Sequence, residues 1–229
     1  IDTQAVAQAF DDEFTYLSHP RTLPDVIMPN SSNPRAPQEP RETPGTMYLA
    51  AHYKWALDEL FLKRKHSHII VVEDDMTVAK DFVAYFEMLA PVLDSDPTLW
   101  CVSTWNDNAF TGPAGFDLPK DKLFRSSYFP GLGWMLRREL WLELSPKFPQ
   151  DNWDHWMRGS TTHKGRACLV PFLNRNFNIG VGGATSNEAF YEKYMKNIGW
   201  NKKGELLPLG DLAYLRLSSG RSSPSGAAC

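Results

Sequence analysis

The stretch from His68 to Asp75 does most to limit what this chain can fold into. Ile69, Ile70, Val71 and Val72 run directly into three consecutive carboxylates, Glu73, Asp74 and Asp75. A short β-branched run of this kind reads as a strand buried on both faces in the middle of a parallel sheet, and ligands of open α/β sheets bind beyond the carboxyl ends of such strands. Three adjacent acids repel one another unless a cation, or a cationic or polyhydroxylated ligand, sits among them. The competing reading makes Asp74 or Asp75 the cap of a following helix, on which Val78, Phe82, Phe86 and Leu89 recur at helical spacing. A cap accounts for one of the acids and leaves two.

The surrounding pattern places this run in an α/β frame. Leu49, Tyr53, Ala56, Leu57, Leu60 and Phe61 make one helical face between Met47 and Lys63, just before the acidic strand. After the strand come a predicted helix from Val78 to Leu93 and a strand from Leu99 to Thr104, a βαβ unit of ordinary length. Such alternation predicts a mostly parallel sheet with flanking helices. Upstream, the spacing of Val6, Phe10 and Phe14 predicts a helix over 3–14 that begins almost at Ile1, as in a trimmed sequence. Phe14 to Ser18 reads as a short strand, and the Pro-rich segment 20–46, which carries the sequon Asn30-Ser31-Ser32, as an extended surface loop. Downstream, Gly131 and Gly133 suit close backbone approach. A helix from Arg138 to Leu144 stops before Pro146. The expected organisation is one catalytic core over 1–215 and a disordered Ser/Gly-rich tail over 216–229.

Composition narrows the function classes. A net charge of -3 and a pI near 6.1 provide no basic field for nucleic acid, and no apolar run approaches the roughly 20 residues a membrane helix needs. GxSxG and HExxH spacings are both missing, which sets aside the hydrolases built on them. Gly180-Val181-Gly182-Gly183 lacks the spacing of a phosphate loop and reads as a mobile glycine loop beside Thr185 and Ser186. Cys101 and Cys168 both sit in strand-like surroundings. Composition alone favours buried free thiols, whereas a bridge between them would mean an oxidising compartment.

A second acidic and aromatic cluster lies at Trp153-Asp154-His155-Trp156-Met157-Arg158. Asp154 and Arg158 are four residues apart and on a helix form a surface ion pair. The other reading is a carboxylate beside an aromatic wall, in which indole faces stack on sugar rings and the carboxylate accepts a proton from an attacking hydroxyl.

Taken in order, His52 to Leu57, Val71 to Asp75, Leu99 to Asn108, Phe129 to Trp134, Trp153 to Arg158 and Lys164 to Cys168 resemble the N-acetylglucosaminyltransferase I family over roughly residues 47 to 200. The resemblance implies a GT-A fold and inverting transfer of N-acetylglucosamine from UDP-GlcNAc to an α-linked mannose of an N-glycan, in β-1,2 linkage. It implies Mn2+ as cofactor, with Asp75 as the protein ligand, and Asp154 as the catalytic base. Glu73 and Asp74 would contact the donor's sugar portions, His52 the nucleotide, and Trp153 would line the donor pocket. Thr185, or Ser186 if the register slips by one, would contact the donor from a loop that orders over it. The family's cysteines matching Cys101 and Cys168 are bridged, which reverses the compositional preference and implies the Golgi lumen. The resemblance also implies a first strand and a membrane anchor upstream of Ile1, so that the core here would lack its first strand. His155 stands where N-acetylglucosaminyltransferase I itself has a second aspartate, which leaves open an O-mannosyl glycoprotein acceptor. A non-catalytic sugar-nucleotide-binding remnant is the rival of a different class.

Overall fold

The strand that carries the acidic run lies at the edge of its sheet, not in the middle. The computed structural model describes residues 15–19, 44–111, 117–181, 188–203, 205 and 212. Helix α1 (Pro44–Asp58) continues into a π-helical turn (Glu59–Lys63) and leads to β1 (His68–Val71) and β2 (Met76–Val78). Then follow α2 (Phe82–Ser95), β3 (Leu99–Ser103), β4 (Leu123–Ser126), β5 (Trp134–Arg137) and α3 (Arg138–Leu144). Two short helices, α4 (Trp153–Arg158) and α5 (Ser160–His163), precede β6 (Ala167–Pro171), β7 (Asn176–Asn178) and α6 (Glu188–Lys193).

The main sheet has five strands in the order β1-β5-β3-β6-β4, and β2 pairs with β7 in a separate ribbon. Only β3 and β6 are parallel neighbours; β1·β5, β3·β5 and β4·β6 are antiparallel. The expectation of a mostly parallel sheet is therefore corrected to a mixed, mostly antiparallel one. The unit β1-α2-β3 does make β1 and β3 point the same way, but β5 returns between them and pairs with both. Because β1 has one neighbour, Ile70 is 37% exposed, while Ile69 and Val71 pack on the core.

Helices cover the sheet on two faces. On one face Tyr53 and Leu57 from α1, Phe61 from the π-helical turn, Leu140 and Trp141 from α3, and Trp153 and Met157 from α4 pack on Trp100, Trp134, Leu136 and Val170. On the other, Phe82, Tyr85, Phe86, Leu89 and Leu93 form one stripe of α2 against Leu99, Val102, Met135 and Leu169. The predicted helix start at Val78 is too early, since Val78 pairs with Asn176 in the ribbon. Phe14 to Ser18 shows no strand over its described residues. The helix over 3–14 and the tail's Ser/Gly run lie outside the described residues, as does the Pro-rich segment except for its last residues, which begin α1.

Strand β3 contains a register shift between Leu99 and Cys101. Two residues there oppose one on β6, which turns both Trp100 and Cys101 toward the α1 face, while Leu99 and Val102 face α2. Cys101 thereby meets Cys168, its registered partner, and the two form a disulfide with a Cα–Cα distance of 4.6 Å.

Candidate active site

The ends of β1 and β3 meet at the beginning of β5, where Trp134 is the partner of both Val71 and Ser103. The acidic run leaves the sheet here and turns into the β2·β7 ribbon. The Met76 amide donates to the Glu73 carbonyl at 3.3 Å, and the Ile179 amide to the Asp75 carbonyl at 2.8 Å. Helix α2 begins at Phe82 after Asp81, so neither Asp74 nor Asp75 caps it. The capping reading of the acids is thus removed.

Asp75 is held by partners far along the chain. Asn178 Nδ2 donates to its Oδ2 at 3.1 Å, and the Gly180 amide donates to Asn178 Oδ1 at 2.8 Å. A Cβ at Gly180 would stand 2.4 Å from Asp75 Oδ2, so only glycine fits this approach. Among the described residues the buried Asp75 Oδ1 has no hydrogen-bond partner. An orphaned buried carboxylate oxygen costs free energy unless a cation or donor completes it.

Glu73 accepts a hydrogen bond of 2.5 Å from the Tyr53 hydroxyl. Burial raises its pKa, the Tyr53 bond opposes that rise, and the charges of Asp75, Asp74 and Asp154 add to it. The Tyr53 phenol is itself pushed up, first by burial and then by the Glu73 charge. Asp74 is exposed at the turn.

Helix α4 supplies Asp154 on the same side. Its side chain is 36% exposed, and Arg158 Nη1 donates to Oδ2 at 2.6 Å, the ion pair that the four-residue spacing predicts. Arg158 Nε also donates to the Phe129 carbonyl at 3.1 Å, and its guanidinium lies over the Tyr128 ring at 4.7 Å. Trp153 points into the core. It is 5% exposed and stacks on Tyr53 at 4.1 Å within an aromatic cluster that includes Phe129, Trp134 and Phe148. The indole therefore backs the Tyr53–Glu73 pair from inside the core.

His52 is exposed on α1, with its ring 5.7 Å from Trp55 and 5.4 Å from His19. Burial lowers its pKa, and the nearby His19 charge adds to the effect. Thr185 and Ser186 lie outside the described residues.

The structure thus gathers Glu73, Asp74 and Asp75 at the end of β1, with the Asp154 charge bearing on Glu73, while His52 stands in an exposed group with Trp55 and His19. Tyr53, Asn178 and Gly180 escaped sequence reasoning as site residues. Tyr53 counted only as an apolar helix position, and Gly180 only as part of a glycine loop. Among the described residues no group of three or more His, Cys, Asp or Glu side chains converges as a metal cage. The Asp75 carboxylate oxygen is a donor of the kind that suits a hard divalent cation.

An α/β fold with an acidic cluster where its strands end, a second carboxylate on a facing helix, and a cross-strand disulfide defines the class to which this chain can belong. The chain belongs to the GNT-I family, whose model matches residues 2–220. It is 43% identical over 204 residues to the alpha-1,3-mannosyl-glycoprotein 2-beta-N-acetylglucosaminyltransferase of Arabidopsis thaliana, a match covering 89% of this chain and 43% of that protein. The chain spans less than half the length of that relative.

Proposed function

We propose that this chain is the core of an inverting, Mn2+-dependent glycosyltransferase with a GT-A fold. It moves N-acetylglucosamine from UDP-GlcNAc to an α-linked mannose of a glycoprotein N-glycan. Family membership and the named relative support an N-acetylglucosaminyltransferase acting on a mannosyl glycoprotein. The observation that carries the finer reading is the buried Asp75 Oδ1, which has no hydrogen-bond partner among the described residues, beside Glu73, on which the charges of both Asp75 and Asp154 bear.

In this reading Asp75 Oδ1 takes the metal. Once bound, Mn2+ supplies Lewis-acid neutralisation of charge on departing UDP. Asn178 and Gly180 hold Asp75 in place. Glu73, fixed by Tyr53, and Asp74 contact the sugar portions of the donor, and His52 contacts the nucleotide. Asp154 accepts the proton of the acceptor hydroxyl as that oxygen bonds to the anomeric carbon and the bond to the UDP oxygen breaks, its electrons leaving with UDP. Arg158 engages Asp154 through Oδ2 and so orients the carboxylate for this work. A bridged Cys101–Cys168 pair fits an oxidising compartment, and the family suggests the Golgi lumen. No helix among the described residues is long and apolar enough to cross a membrane.

The test compares two variants. Asp154→Asn is expected to abolish transfer and keep Mn2+-dependent UDP-GlcNAc binding in calorimetry, whereas Asp75→Ala is expected to lose the metal-dependent part of binding. Full transfer by Asp154→Asn refutes the base assignment. Transfer to an O-mannosyl peptide in preference to an N-glycan core would redirect the acceptor.

A further inference from the structure

Tyr128 is a large aromatic side chain left 49% exposed on a loop that is otherwise tied down. The Tyr128 amide donates to Ser126 Oγ at 3.1 Å, and that hydroxyl donates to the Tyr128 carbonyl at the same distance. The next residue, Phe129, is fully buried, and its carbonyl holds Arg158 Nε at 3.1 Å. The exposed ring is thus presented by a fixed backbone, with the Arg158 guanidinium 4.7 Å from the ring centroid on one side.

Tyr128 is also joined to the proposed base through Arg158. Trp153 and Asp154 are successive residues of α4, the first buried and the second partly exposed. Buried Trp153 leads through Tyr53 to Glu73 and the donor acids, by a 4.1 Å stack and a 2.5 Å hydrogen bond. Half-exposed Asp154 leads through Arg158 to Tyr128, by a 2.6 Å ion pair and the ring contact. Burial raises the Tyr128 phenol's pKa, Arg158 opposes this, and the Asp107 and Asp154 charges add to the rise. In an inverting displacement the attacking hydroxyl comes from the side opposite the leaving group. The acceptor must bring its hydroxyl to Asp154, whose ion-pair partner Arg158 lies over the Tyr128 ring.

We propose that the exposed part of the Tyr128 ring is the stacking platform for a sugar ring of the acceptor, and that Arg158 fixes both this platform and the base. A pyranose offers C–H groups to an aromatic face, and its hydroxyls can reach the charged groups beside it. This inference rests on the glycosyltransferase reading above.

The test uses the full protein with a mannose-terminated N-glycan core oligosaccharide as acceptor. Tyr128→Ala is expected to raise the acceptor KM about five- to tenfold, the size of one lost aromatic stack. The donor KM is expected to stay unchanged. Tyr128→Phe, which keeps the ring, is expected to stay within about twofold of the parent. Calorimetric binding of the oligosaccharide is expected to weaken in the same order. An unchanged acceptor KM in Tyr128→Ala, a change confined to the donor KM, or an equal loss in Tyr128→Phe overturns the platform while leaving the transferase reading intact. A parent protein with neither transfer nor oligosaccharide binding overturns both.

Discussion

Arg175→Met tests how the start of α2 is tied to the segment that precedes β7. Arg175 is completely buried and Asp81 is 3% exposed at its side chain, with Nε and Oδ2 in contact at 2.9 Å. That contact is a close ion pair whose angle falls outside hydrogen-bond geometry. The guanidinium also donates to the Lys120 carbonyl at 2.6 Å and to the Leu173 carbonyl, and it lies over the Tyr85 ring at 5.4 Å. Methionine keeps the apolar stem but leaves Asp81 buried with one side-chain donor, Asn201 Nδ2 at 3.0 Å, and strips both carbonyls. Removing one partner of a buried pair costs about 3–5 kcal/mol. With a urea m-value of about 2 kcal/mol/M, the midpoint falls by about 2 M. Arg175→Met combined with Asp81→Leu is expected to recover most of that loss, because two apolar side chains leave no buried charge and Asn201 keeps its 2.8 Å bond to the Glu205 carbonyl. A single-variant shift below about 0.5 M, or a double variant as unstable as the sum of the two single ones, would refute the argument.

Gly180→Ala places a Cβ 2.4 Å from Asp75 Oδ2, so Mn2+-dependent donor binding is expected to weaken about tenfold or more, with an overpacking cost of about 1–3 kcal/mol. Calorimetry beside thermal melts checks both, and unchanged donor binding would sink the proposed role of Asp75. Glu143 is held down to about 2 from 4.5, first by its hydrogen bond with Arg166 and then by Lys164, with burial opposing. A depressed folded pKa stabilises the fold above the unfolded value and loses that stabilisation as pH falls toward about 2. Because the pair is near the surface, Glu143→Gln is expected to cost at most about 1 kcal/mol at neutral pH. The gap between variant and parent in urea titrations should close between pH 4.5 and about 2, and a gap independent of pH would contradict the assignment.

Local chemistry was legible in the sequence wherever it depended on near neighbours. The end of β1 in acids, the apolar stripe of α2 from Phe82 to Leu93, and the Asp154–Arg158 pair all follow from short spacings. What the sequence concealed depends on distant pairings. Strand β5 lies between β1 and β3, which no βαβ pattern reveals, and that makes β1 an edge. The partner of Asp75, Asn178, is 103 residues away, and Tyr53 meets Glu73 across 20. The buried Arg175 resembled any charged residue in a loop, because only the assembled fold brings Asp81, Lys120 and Leu173 around it.

The extra residue in β3 decides whether the thiols can meet at all. Without the shift between Leu99 and Cys101, alternation would aim Cys101 at the α2 layer while Cys168 faced α1, because a slip of one residue reverses every side chain beyond it. Oxidation of this pair is therefore a check on strand alignment: a chain that paired β3 and β6 one residue out of step would keep two free thiols. The covalent bond thus forms only in molecules whose β3 and β6 are correctly registered.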